Sequence, residues 1–195
     1  YVIGTGFEFW TTNHWLVRKS SDHGASWTTI DDYRLGATQN SYANGQHLFI
    51  DNQGNLLATG LAVGSDSNWH SIIRKRPAGS STWSTVLDVP ATPPTSYDFY
   101  PLGGVLAQDT AGNLFLSQSW QMTHEASGHV RIFKSTNGGT SWSGPLFDSL
   151  YTSTQIRYMA GALFVFGWGD GYVWRTRRAV DTSQANLLPE VIDSF

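Results

Sequence analysis

Cysteine is absent from the 195 residues, which excludes disulfide staples, thiolate metal sites and a cysteine nucleophile. Charge is scarce: Asp, Glu, Lys and Arg together make up 14%, against about 25% in an average soluble domain. Only three glutamates occur, Glu8, Glu125 and Glu190, so strong helix formers are few. Lys and Arg number 12 against 15 Asp and Glu, a net charge of −3. That balance excludes a polybasic nucleic-acid or membrane-surface binder, because both need clustered positive charge. No apolar run reaches the roughly 18 residues of a spanning helix, and no basic, apolar and small-residue series follows Tyr1 as in a leader. Glycine-rich phosphate loops, a G-x-S-x-G elbow and an EF-hand loop are all lacking, so no cofactor is expected. What remains is 40% hydrophobic and 14% aromatic, with nine Trp and 20 Gly. Such a composition, with no window of helical periodicity, points to an all-β protein. Together with the lack of cysteine, it leads to an expected extracellular or bacterial periplasmic location.

The chain repeats itself. Ser20-Ser21-Asp22-His23-Gly24-Ala25-Ser26-Trp27, Arg76-Pro77-Ala78-Gly79-Ser80-Ser81-Thr82-Trp83 and Ser135-Thr136-Asn137-Gly138-Gly139-Thr140-Ser141-Trp142 end in Trp residues 56 and 59 positions apart. A second marker, Gly54-Asn55-Leu56-Leu57, returns 58 positions later as Gly112-Asn113-Leu114-Phe115, with a weaker copy at Gly161-Ala162-Leu163-Phe164. Two independent markers with one period define a repeat.

Each period reads as strands. His47–Asp51 and Val105–Asp109 run into Gly-containing turns, and Leu56–Gly60 and Leu114–Gln118 leave them as hairpin partners. Third strands are expected at Trp15–Lys19, Ser71–Lys75, Val130–Lys134 and Tyr172–Thr176. Fourth strands are expected at Thr28–Asp32, Ser84–Asp88, Leu146–Ser149 and Val191–Ser194. Four strands per unit of about 57 residues match a propeller blade.

The Ser/Thr-x-Asp-x-Gly-x-x-Trp pattern resembles the Asp-box, or BNR, repeat of sialidase-like β-propellers. Its physical logic is legible: the Asp accepts backbone N–H bonds in the turn, the Gly takes positive φ, and the Trp can fill the wedge between blades. The first copy matches fully through Asp22, Gly24 and Trp27. The third matches through Gly139 and Trp142 with Asn137 for Asp, and the second keeps only the spacing and Trp83. In blade four, Ala179–Asn186 stands in place of the box. The resemblance implies that these residues are structural and face away from the ligand side.

The expected architecture is a single domain of about four four-stranded blades, approximately 1–33, 34–89, 90–150 and 151–195. Tyr1–Gly6 aligns with the second strand Asn55–Gly60, so the first blade lacks its innermost strand. Sialidase-like propellers usually close with six or more blades, so the sequence is expected to be a piece of a longer propeller, the alternatives being a four-bladed ring that closes in an unusual way or completion by assembly. An open inner edge would otherwise leave backbone groups unpaired.

On the ligand side, the second-to-third loops are expected at Phe7–Asn13, Leu61–Trp69, Ser119–Gly128 and Gly167–Gly171. Each contains a Trp (Trp10, Trp69, Trp120, Trp168), and polar partners such as Glu8, Asp66, Glu125 and Asp170 accompany them. Aromatic faces beside short polar side chains suit sugar rings, whose C–H faces stack while their hydroxyls hydrogen-bond; the alternative is that each Trp packs its loop base onto the sheet. The connectors add Tyr33-Arg34, Tyr42, Tyr97-Asp98-Phe99-Tyr100 and Gln155-Ile156-Arg157-Tyr158. His14, His70 and His129 fall at one repeat position, with Tyr172 in blade four, and are expected to bond neighbouring backbone. His124-Glu125 with His129 misses the H-E-x-x-H spacing by one residue, so no metal is expected.

The resembled sialidases use three Arg for the substrate carboxylate, an Asp acid/base and a Tyr–Glu nucleophile pair. An Arg fork suits a carboxylate, which makes Arg34 and Arg157 the weak catalytic candidates, with Asp98, Glu8 and Glu125. No complete set assembles. The expectation is therefore a recognition module that binds glycan or another surface ligand through Trp10, Trp69, Trp120, Trp168, Tyr97 and Tyr100. A sialidase-type hydrolase and a protein-binding scaffold are the alternatives, and the expected partners are a glycan or protein ligand and either further copies of the chain or the remainder of a longer propeller.

Overall fold

The computed structural model describes residues 1–8, 12–36, 42–90, 99–122, 128–149, 152–168, 174–179 and 190–194. These contain fifteen strands and no helix. The strands are β1 (Val2–Glu8), β2 (Thr12–Lys19), β3 (Thr28–Tyr33), β4 (Ala43–Ile50), β5 (Leu56–Val63), β6 (Trp69–Arg76), β7 (Ser84–Pro90), β8 (Phe99–Gln108), β9 (Leu114–Met122), β10 (Gly128–Ser135), β11 (Ser143–Ser149), β12 (Thr152–Met159), β13 (Ala162–Trp168), β14 (Trp174–Ala179) and β15 (Glu190–Ser194). They form four antiparallel meanders, β1-β2-β3, β4-β5-β6-β7, β8-β9-β10-β11 and β12-β13-β14-β15. The first sheet has three strands and the others four, as the register of the repeat requires.

Two register shifts recur. One lies between the third and fourth strand of each sheet, at Val17/Arg18, Ile73/Arg74, Ile132/Lys134 and Thr176/Arg177. The other lies in the innermost pair of the three complete sheets, at Gly45/His47, Pro101/Gly103 and Ser153/Gln155. A bulge bends its strand and increases the twist, so each four-stranded blade is coiled at the same two places and the first blade at one of them.

The chain divides into two compact units, Tyr1–Thr92 and Pro93–Phe195. In the first, Trp15, Val17, Ala43, Leu56, Ala58, Ala62 and Ile72 form the core, with Ile3, Tyr33, Leu48 and Trp83 packed against it. Trp15 is fully buried. Its indole has room because two glycines of the second sheet face it. A Cβ on Gly60 would lie 2.2 Å from the Asn44 carbonyl and 3.0 Å from the Trp15 ring, and one on Gly45 would lie 2.5 Å from Ile3 and 2.9 Å from Trp15. The same two sheets are joined by a buried ion pair, in which Arg74 on β6 donates from Nε and Nη2 to the two oxygens of Asp31 on β3, both at 2.7 Å. The guanidinium also lies 4.3 Å from the Tyr33 ring centre. In the second unit, Ala107, Phe115, Val130, Ile132, Leu146, Ile156, Leu163, Val165 and Ala179 form the core.

Candidate functional site

Strand direction sorts the candidate residues between the two ends of each blade. The turn Ser20–Trp27 joins β2 to β3 and Ser135–Trp142 joins β10 to β11, each at the equivalent end of its own blade. In the first, the Ser20 hydroxyl accepts from Gly24 N (2.8 Å), and Asp22 accepts from Ser26 N (2.9 Å), Ser26 Oγ (2.5 Å) and Ser20 Oγ (2.7 Å). His23 and Gly24 both take positive φ, 56° and 93°. These bonds hold the exposed Asp22 carboxyl at about 2. The third copy keeps the geometry with one bond reversed: Asn137 accepts from Ser141 N through Oδ1 (2.9 Å) but donates through Nδ2 to Ser141 Oγ (2.8 Å). The indoles of Trp27 and Trp142 bond back to Gly24 O and Gly139 O, so they close their own turns, whereas Trp83 packs against the core of the first unit. The second copy has no carboxylate and is tied instead by Arg76 to Ser80 O and by Asn55 Oδ1, which accepts from Ala78 N at 3.0 Å.

The same end carries a motif not read from the sequence. Asp51 accepts from Gln53 N, Asn55 N and Asn55 Nδ2, and Asp109 accepts from Asn113 N and Nδ2. Both aspartates are buried, and Gly54 and Gly112 supply positive φ. The recurrent Asp-x-x-Gly-Asn was the available signal.

At the opposite end of the first unit, β5 and β6 run longer than expected and leave only residues 64–68 as the turn. Trp69 is therefore not a loop residue but the first residue of β6, paired with Val63. Trp120 likewise lies in β9, paired with His129 and Pro101, and Trp168 ends β13, paired with Trp174. The Trp69 ring meets Tyr42 edge to face, with centres 5.1 Å apart, and Tyr42 bridges in parallel to Asn13 of the neighbouring blade. Tyr42 and Trp69 are thus brought together by adjacent strand ends, and Arg34, exposed just beyond β3, lies at this same end.

The turn itself is a closed hydrogen-bonded unit. Ser67 N donates to Gly64 O (3.0 Å) and Gly64 N to Asn68 O (3.1 Å). Asp66 accepts from Asn68 N (3.1 Å) and Asn68 Nδ2 (2.9 Å). The next residue after Trp69 is His70, whose Nδ1 lies 2.6 Å from Asp88 on β7 and whose Nε2 lies 3.2 Å from Asp66. Hydrogen bonds from Asn68 and then His70 hold Asp66 at about 2. Burial pulls the imidazole down, yet Asp88 and Asp66 outweigh it and leave His70 above the ordinary histidine value. In blade one, His14 Nδ1 meets Asp32 at 2.6 Å. The repeated histidines of the first two blades thus bond carboxylates of the fourth strand, not backbone. The cross-strand diagonal from the third strand to the fourth is what brings them together.

Of the weak catalytic candidates, Arg34, Arg157 and Glu8 lie among the described residues. Gln155–Tyr158 is not a connector: Arg157 lies in β12, paired with Phe164 and two residues from the Ala160–Gly161 hairpin, at the end away from the Trp-bearing strand ends. Glu8 ends β1 opposite Thr12. Trp10, Tyr97, Asp98, Glu125, Asp170, Tyr172 and most of Ala179–Asn186 lie outside the described residues, and Tyr100 is placed only as a β8 residue paired with Gln121.

The fold has counterparts in solved structures. A sialidase of Trypanosoma rangeli superposes with a TM-score of 0.62 at 15% identity, covering 92% of this chain and 33% of its own. The fold is that of part of a β-propeller. An α-L-arabinanase of Penicillium chrysogenum, complexed with arabinobiose, gives a TM-score of 0.57 at 13% identity, over 97% of this chain and 62% of that one. By sequence, a xyloglucanase of a Paenibacillus species is 24% identical over 73% of this chain, which spans 14% of that protein's length. No family model matches the sequence.

Proposed function

We propose that this chain is a glycan-recognition module whose ligand face is the end carrying Tyr42 and Trp69. The observation that carries the reading is the Tyr42–Trp69 pair set beside the exposed turn 64–68, which supplies Ser65, Asp66 and Ser67 as polar partners. Aromatic rings next to short hydrogen-bonding side chains fit a sugar ring, which offers a C–H face and a rim of hydroxyls. The similar proteins are named as a sialidase, an arabinanase and a xyloglucanase, which supports a saccharide as the ligand class. On this reading Trp10 belongs to the face of the first unit, and Trp120, Trp168, Tyr97 and Tyr100 are the corresponding candidates within the second. The turns Ser20–Trp27 and Ser135–Trp142 are Asp-box repeats of one propeller domain, and the protein works outside the cell or in the periplasm.

A second reading, a glycoside hydrolase, rests on the same named relatives, with Arg34 and Glu8 at the ligand end. Retaining hydrolysis needs two carboxyl groups about 5 Å apart. The two readings separate on one panel. The protein is tested for binding to linear arabinan, xyloglucan and sialyllactose while free sugar is assayed in the same wells. Binding without release supports the module; release of arabinose, xyloglucan oligosaccharide or sialic acid supports the enzyme.

A further inference from the structure

The ring nitrogens of His70 are both occupied by carboxylates, Asp88 on Nδ1 at 2.6 Å and Asp66 on Nε2 at 3.2 and 3.3 Å. An ionised carboxylate can only accept, and a neutral imidazole has one N–H. A neutral His70 would therefore aim a lone pair at one of the two carboxylates; only the imidazolium satisfies both. The short Nδ1 contact is the one a neutral ring would keep, so loss of the proton releases Asp66. Asp66 belongs to the turn, and the ring is pressed against that turn: a Cβ on Gly64 would lie 2.9 Å from His70 Nε2. The turn holds Ser67 at a φ of 62°, a conformation unfavourable for a residue with a Cβ, so it needs its tethers. His70 also follows Trp69 directly in β6.

We propose that His70 is a proton-operated positioning residue, whose imidazolium ties the turn 64–68 to β7 and thereby holds Trp69 against Tyr42 in weak acid but not in base. The charged groups acting on it are Asp88 from β7 and Asp66 from the turn. Its register partners are Ala62 on β5 and Pro90 on β7; neither titrates. Arg74, Asp31 and Tyr33 interact with one another at the interface of the first two sheets, and Asp88 also acts on Tyr33. Asp66 stays ionised across the whole neutral range, so the change between pH 5 and 9 belongs to His70. Because its folded value is raised, the tie is complete below about pH 6.5, the unfolded histidine value, and is lost as pH rises through the folded one. The effect on ligand capture rests on the proposed glycan face; the effect on the turn does not.

The test follows amide exchange of Ser67 and Asn68 in the intact protein from pH 5 to 9, corrected for intrinsic base catalysis, together with the NMR titration of the His70 ring. Protection is expected to fall about tenfold with a midpoint at the His70 titration, which lies above about 6.5. Asp66→Asn should flatten that dependence and lower the His70 midpoint, and His70→Gln should exchange rapidly at every pH with an unchanged far-ultraviolet spectrum. Protection independent of pH in the parent, or an equal fall in Asp66→Asn, overturns the proposal even if His70→Gln fails to fold. The pH dependence of binding to arabinan, xyloglucan and sialyllactose is then read separately. A pH-dependent turn in a protein that binds none of them supports the tie and counts against the glycan face, whereas binding with a pH-independent turn does the reverse.

Discussion

At the scale of single residues, the turns Ser20–Trp27 and Ser135–Trp142 differ at the acceptor position, Asp22 against Asn137, with a physical consequence. Asp22 and Asn137 occupy the same turn, but only Asp22 carries a titratable group. Its folded value, about 2, is below the ordinary 3.8. The stabilisation is therefore present above about pH 3.8 and lost as pH falls through 2. The Asp22 carboxyl carbon should titrate near 2 by NMR, and a midpoint near 3.8 would show that the turn bonds are absent in solution. The buried Asp31–Arg74 pair makes a second prediction. Removing one member strands the other, so Asp31→Ala should cost about 3 kcal/mol in urea unfolding. The double variant Asp31→Ala/Arg74→Met should recover most of that. An exposed, inconsequential pair would give a loss below about 1 kcal/mol in the single variant.

Strands and turns show how much could be read in advance. The fourth strands of the first three blades are legible because each leaves a Trp-ended turn, and Thr28–Tyr33 and Ser84–Pro90 differ from expectation by only one or two residues. The inner strands were read short, since Ala43-Asn44-Gly45 and Phe99–Gly104 contain Gly, Asn and Pro that resemble loop. Those residues are strand because the bulges at Gly45/His47 and Pro101/Gly103 absorb them. Trp69 and Trp120 looked like loop residues for a similar reason: pairing with Val63 and His129 extends the strands beyond the apolar alternation. The His70–Asp88 contact was invisible because its partners stand eighteen residues apart and meet only through cross-strand register. Close approach between sheets gives a test at this scale. Gly60→Ala would drive a Cβ into the Asn44 carbonyl and should destabilise by about 3 kcal/mol, whereas Gly4→Ala, with nothing within 4 Å, should change stability by less than about 0.5 kcal/mol. Equal melting shifts for the two would contradict the packing of Trp15 between the sheets.

For the molecule as a whole, the repeat period fixed the blade count, including the three-stranded first sheet, before any side chain was placed. Function was less legible. The fold is shared with proteins named for different saccharides, and a fold of this kind hosts several activities. The arrangement at the Tyr42–Trp69 end therefore carries the account. The measurement that bears on it most directly is affinity electrophoresis or calorimetry of the parent and Trp69→Ala against arabinan, xyloglucan and sialyllactose, with free sugar assayed alongside. The account predicts binding to at least one of the three without sugar release, and a loss of at least about tenfold in Trp69→Ala, the scale of one aromatic stacking contact. Binding that Trp69→Ala leaves unchanged, or no binding to any of the three, would contradict it.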